Sequence, residues 1–141
     1  MKNKLLLVSL FLVPLLASTA LARIGETHQE FQTRCGWYLD PPRERFDDQG
    51  RAQWFFVEKA GLAVAVVFGS GAHSVSETFF HLNRSPLTRR EINEILDRQI
   101  SSFTTWKSSG TGRWTSVDAF QREMRAAYSG GKLRVWVKED E

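Results

Sequence analysis

The chain has 141 residues, 42% of them hydrophobic and 12% aromatic, with a formal charge of +3 at pH 7. That length suits one domain with a core of its own, and the single cysteine, Cys35, excludes an intrachain disulfide. Setting aside residues 1–22, which hold Lys2 and Lys4, leaves 17 Lys and Arg against 16 Asp and Glu. Nucleic-acid binding calls for a clustered basic excess, so no nucleic-acid partner is expected.

In chain order, Lys2 and Lys4 precede an apolar run from Leu5 to Leu16, broken by Ser9 and Pro14, and Ala20-Leu21-Ala22 follows. A basic start, a short apolar middle and an Ala-x-Ala end read as a signal peptide over Met1–Ala22. The run is shorter than the roughly 20 apolar residues that span a bilayer, and Pro14 removes a helical hydrogen bond. The expectation is export to the periplasm or the extracellular space. The mature domain is then Arg23–Glu141, with no membrane span after cleavage. No cysteine stands at the cleavage point to take a lipid anchor. In an oxidising compartment the lone Cys35 is expected either to be buried as a small apolar residue, the favoured reading, or to pair between chains.

Thr27-His28-Gln29-Glu30 fits a capping box, so a short helix starts after Thr27 and stops near Gly36, with Phe31 and Cys35 on one face. Asp40-Pro41-Pro42 through Asp47-Asp48-Gln49-Gly50 reads as a loop. Gln53–Glu58 reads as a strand, and Lys59-Ala60-Gly61 turns it with Gly61 in the left-handed region. The continuous apolar run Leu62–Phe68 suits a central strand covered on both faces. Gly69-Ser70-Gly71 turns again, and Ala72–Leu82 is a third strand.

Thr88-Arg89-Arg90-Glu91 is a second capping box, flanked by Leu87 and Ile92 as a hydrophobic staple. Ile92, Ile95, Leu96, Ile100 and Phe103 form one apolar helical stripe. Ser101–Gly112 reads as a loop pinned by Trp106, and Arg113–Val117 as a strand. At the C-terminus, Gly130-Gly131 closes a two-residue hairpin turn. Pairing outward sets Tyr128, Ala126 and Met124 opposite Leu133, Val135 and Val137 on a core face. The other face pairs Ala127 with Arg134, Arg125 with Trp136 and Glu123 with Lys138, which allows a cation–π contact and an ion pair. The whole is α+β, an antiparallel sheet of five to six strands with two helices in the order α-β-β-β-α-β-β-β. The halves share a helix-then-strands rhythm without a sequence repeat.

His73, Glu77 and His81 recur every four residues, a zinc-like spacing on a helix. On a strand they lie about 13 Å apart, so they read as polar residues of a partly exposed strand and no metal is expected. Gly69-Ser70-Gly71 lacks the spacing of a nucleophile elbow. Cys35 and His28 have no flanking thiol-enzyme motif, and Asp47-Asp48-Gln49-Gly50 lacks the ligand pattern of a calcium loop. Asn83-Arg84-Ser85 is formally a glycosylation triplet, with Pro86 directly after it. No cofactor is implied. Among five tryptophans, Trp54 sits in an apolar strand, whereas Trp136 falls on the polar hairpin face beside Arg125 and Arg134.

Ile24-Gly25-Glu26-Thr27 through Arg34-Cys35-Gly36, after a signal peptide, resembles the opening of short exported bacterial proteins of unknown function, as does the closing Ala127-Tyr128 and Leu133-Arg134-Val135 pattern. The Gly-x-Thr helix opening followed by antiparallel strands is also similar to BamE-type outer-membrane assembly lipoproteins and to β-lactamase-inhibitor proteins, over about ten residues. The chain lacks their lipidation cysteine, a proline after Gly36 and the inhibitors' disulfides. What the resemblance implies is an exported α+β domain, and no functional residue carries over.

The functional expectation is therefore a non-enzymatic envelope or secreted protein that binds another protein or envelope component through Arg125, Arg134 and Trp136. The alternatives are a small extracytoplasmic hydrolase and a carbohydrate binder using exposed tryptophans.

Overall fold

A computed structural model of the chain describes residues 23–35, 45–59, 61–100, 104–117 and 121–138. The expected leader, the Asp40-Pro41-Pro42 turn and Phe103 lie outside the described residues. In chain order the elements are α1 (His28–Cys35), β1 (Arg45–Phe46), β2 (Ala52–Lys59), β3 (Leu62–Phe68), β4 (Ser74–His81), α2 (Arg89–Gln99), β5 (Lys107–Gly110), β6 (Arg113–Val117), β7 (Glu123–Ser129) and β8 (Lys132–Val137). Strands β2–β8 form a seven-stranded antiparallel sheet, and two-residue β1 extends its β2 edge; the spatial order is β1-β2-β3-β4-β8-β7-β6-β5.

The class is α+β, with more strands than the five or six expected. Strand β5 falls inside the stretch read as a loop. Its residues, Lys-Ser-Ser-Gly, are all exposed and carry no apolar alternation. They pair because β6 offers an edge across a turn in which Gly112 takes φ 62°. Strand β1 likewise pairs across the Asp47–Gly50 turn, held by Asp47 Oδ1 accepting from the Gln49 and Arg51 amides.

Each half of the chain is a helix followed by a four-stranded meander. The last strands of the halves pair at the centre, with Ser76, Glu77, Thr78 and Phe79 opposite Trp136, Val135, Arg134 and Leu133. The strand order is thus palindromic about the β4–β8 pair.

Both helices cover one face of the sheet. Phe31 of α1 packs on Phe56 with ring centroids 4.9 Å apart. Ile92, Ile95 and Leu96 of α2 join Val64, Phe79, Leu133 and Val135 in the same cluster. Each such side chain contributes about 1.5–3 kcal/mol by leaving water. Strand β3 is buried on both faces from Leu62 to Val67. Both capping boxes close: the Glu91 and Glu30 amides donate to Thr88 and Thr27 Oγ1 at 3.2 and 3.3 Å. The C-terminal hairpin has the expected register throughout, from Ser129–Lys132 to Met124–Val137. Gly130 and Gly131 at φ 59° and 80° make the turn, a conformation most residues resist. Trp106 pins its segment by donating from Nε1 to Leu96 O at 2.6 Å.

Candidate functional site

Both helices pack on the same face, and the strand register decides what the opposite face shows. Residues opposite each other across a ladder share a face, so Phe55, Thr78, Phe80, Lys132, Arg134, Trp136 and Arg125 all point away from the helices. A cleft of about 950 Å³ runs along this face, lined by Phe55, Phe80, Ser76, Thr78, Lys132 and Arg134 among others. Its mouth carries Phe46 and Leu82, which are 68% and 53% exposed, two of the three exposed large apolar residues on the described surface.

At the cationic end, Arg134 lies with its guanidinium carbon 4.8 Å from the Trp136 ring centroid, and its Nε donates to Ser76 Oγ at 3.1 Å. Lys132 Nζ is 5.5 Å from the Phe80 ring centroid, and Phe80 meets Phe55 edge-on at 6.4 Å. Neither Lys132 nor Arg134 has a carboxylate partner among the described residues. Two cations thus stand over aromatic rings, and both line the cleft.

All three residues singled out from the sequence lie on this face. Arg134 lines the cleft, while Trp136 and Arg125 continue the face beyond it, directly opposite each other. Arg125 Nε donates to Glu123 Oε1 at 3.4 Å, and Lys138 Nζ donates to Glu123 Oε2 at 3.2 Å, the cross-strand pair expected. Those two cations, Lys138 first, hold the Glu123 carboxyl below its ordinary range. The sequence reading missed Lys132, Phe55, Phe80, Phe46 and Leu82. The alternation of Ser76, Thr78 and Phe80 along β4 was the available signal.

Other candidates resolve differently. His73 precedes β4, whereas Glu77 and His81 lie on it. Glu77 corrects the expectation of a partly exposed strand: it is fully buried on the helix face, because the N-terminal segment and α2 cover it. Gln99 Nε2 donates to its Oε2 at 3.1 Å, and Ser74 Oγ lies 2.9 Å from its Oε1. Burial pushes its carboxyl up to about 8. Among the described residues no three His, Cys, Asp or Glu are placed to hold a metal ion, and no helix is long and apolar enough to cross a membrane.

His28 packs edge-on against Trp54 at 4.6 Å. Cys35 is half-buried, and burial followed by the nearby Glu58 pushes its thiol up to about 12. Such a thiol is a poor nucleophile at neutral pH.

His81 stands between Ser85 and Glu91, with Nδ1 2.7 Å from Ser85 Oγ and Nε2 2.8 Å from Glu91 Oε1. The order matches a nucleophile–base–carboxylate relay. However, the Ser85 amide donates to Asn83 Oδ1 at 2.9 Å, which identifies that atom as an acceptor, and Ser85 Oγ donates to it at 2.7 Å. The serine proton is thus directed to an amide oxygen, not to the imidazole. Glu91 is also the capping-box acid of α2. The network ties the end of β4 to the start of α2.

Comparison with known protein families, curated proteins and solved structures finds no match to this chain.

Proposed function

We propose that the chain is an exported, non-enzymatic binding protein whose sheet face opposite the helices takes a protein partner carrying exposed carboxylates. The observation that supports this is the pairing of Lys132 and Arg134 with Phe80 and Trp136, without carboxylate partners among the described residues, beside a cleft flanked by exposed Phe46 and Leu82. Aromatic side chains and arginine carry most of the energy in protein interfaces, and complementary charge sets partner choice and association rate. The exposed apolar pair at the mouth would desolvate on docking. Export rests on the Met1–Ala22 leader pattern.

The test is capture of carboxylate-rich partners from the native envelope fraction by residues 23–141. It compares the wild type with Arg134→Ala/Trp136→Ala and Arg125→Ala/Trp136→Ala variants whose folding is checked by circular dichroism. A peptide of alternating Glu and Leu, followed by Trp fluorescence, serves as a direct probe. Capture and peptide binding should fall in the variants and at 0.5 M salt, where the screening length drops to about 4 Å. Capture that is unchanged by the variants and by salt overturns the proposal.

A further inference from the structure

Residues 23–27 run as a strap over a buried polar network at the start of β4. The Ile24 amide donates to Gln99 Oε1 at 2.7 Å. The Gly25 amide is shared between Ser74 Oγ at 2.9 Å and Ser74 O at 3.0 Å. In turn Gln99 Nε2 donates to Glu77 Oε2 at 3.1 Å, and Ser74 Oγ lies 2.9 Å from Glu77 Oε1. Ser74 and Glu77 are fully buried, and Gln99 is 4% exposed. Two consecutive strap amides thus end on the same two side chains that hold the Glu77 carboxyl. The strap is fastened further by the Ser74 amide donating to Glu26 O at 2.7 Å, by the Thr27–His73 bridge and by Ile24, which packs against the core.

Across the sheet Glu77 has apolar neighbours, the buried Val66 of β3 and Val135 of β8. From α2 it meets the neutral Gln99. The charges acting on it are Glu26 of the strap and Glu58 of β2. Arg34 of α1 bridges those two, with Nη2 2.7 Å from Glu26 Oε2 and Nη1 2.6 Å from Glu58 Oε2. His73 Nδ1 lies 2.8 Å from Gly25 O, and Arg122 Nη2 stands beside Gly25.

We propose that residues 23–27 are a proton-coupled strap: docking shuts the Glu77 carboxyl in with its proton, and undocking admits water and lets that proton leave to solvent. This inference stands apart from both the sheet-face site and the export reading.

The coupling follows from what the strap supplies. Undocking withdraws the Ile24 amide from Gln99 and the Gly25 amide from Ser74, and it uncovers the carboxyl between them. With the strap docked, burial pushes the Glu77 carboxyl up to about 8, whereas a hydrated one releases its proton near 4.5. The docked state is therefore fully favoured below pH 4.5. It weakens as pH rises between the two values and loses nothing more above pH 8. A segment held mainly by a few backbone hydrogen bonds opens at lower cost than the core, and hydrogen exchange separates the two events.

Amide hydrogen exchange followed by NMR from pH 5 to 7.5 tests the strap. The protein is residues 23–141, which contain every described element, behind a short Gly-Ser extension that keeps the terminal amine away from Arg23. It is compared with Glu77→Gln, which retains Glu26, His73 and the strap itself but has no proton to lose at position 77. Relative to that variant, protection of the wild-type Ile24 and Gly25 amides should fall about tenfold per pH unit, because one proton leaves with each opening. Both amides should also exchange faster than those of Val64 and Val66 in β3, which await global unfolding. Equal pH profiles in the two proteins overturn the coupling. A common exchange rate for the strap and β3 amides overturns the strap as a separately opening unit. Glu77→Met, likewise without a proton to lose, takes the place of Glu77→Gln should that variant not fold, and wild-type protection that stays level from pH 5 to 7.5 overturns the proposal with no variant at all.

Discussion

Glu77→Gln isolates a strongly perturbed, fully buried carboxyl. In the folded chain burial keeps the Glu77 carboxyl protonated to about pH 8, whereas in the unfolded chain it releases its proton near 4.5. Between those values the folded state holds the extra proton, so stability is greatest below pH 4.5 and falls as pH rises toward 8. Each pH unit in that window costs about 1.4 kcal/mol, so wild type should lose about 3 kcal/mol between pH 5 and 7.5. Glutamine reproduces the neutral carboxyl: its oxygen can accept from Gln99 Nε2 and its amide can donate to Ser74 Oγ, whose proton then turns to Arg23 O at 3.4 Å. The variant should therefore match wild type at pH 5 and exceed it by about 3 kcal/mol at pH 7.5. Urea unfolding followed by tryptophan fluorescence at several pH values measures both slopes. Taking their difference removes the other titrating groups, including Glu26, whose raised carboxyl works in the same direction. Equal slopes in the two proteins would refute a protonated, buried Glu77.

Thr88→Ala opens the α2 capping box, in which Thr88 and Glu91 each satisfy the other's backbone amide; urea unfolding should register a loss of about 1 kcal/mol. Arg34→Met removes the guanidinium that bridges Glu26 and Glu58, the latter with its side chain 1% exposed, and urea unfolding should register a loss of about 3–5 kcal/mol, the usual cost of breaking a buried ion pair. Cys35, with its thiol pushed up to about 12, should resist iodoacetamide at pH 7.5 in the native chain and react at the rate of an ordinary thiol in urea; rapid native labelling would contradict the burial. Ser85, whose hydroxyl serves Asn83, should take no label from a fluorophosphonate, and modification at that residue by mass spectrometry would restore the hydrolase alternative.

Local chemistry alone determined much of this protein. The capping boxes at Thr27 and Thr88 and the Gly130-Gly131 turn are satisfied within a few residues of themselves, so their sequence signals needed no distant partner. The turn then set the β7–β8 register, because a slip of one residue would carry Met124, Ala126, Leu133 and Val135 out of the core. That same alternation placed Arg125, Arg134 and Trp136 on one face. What lay beyond the sequence were the features made by pairing across long separations. Strand β5 carries no apolar pattern and exists because β6 offers an edge. Glu77 looks like an ordinary exposed strand residue until Ser74, Gln99 and the 23–27 segment close over it. The cleft likewise draws Phe46, Phe55, Phe80, Leu82 and Lys132 from separate elements, and the β4–β8 pairing that joins the two halves brings them together. Periodicity reports which face a side chain takes; only the assembled sheet decides what that face will meet.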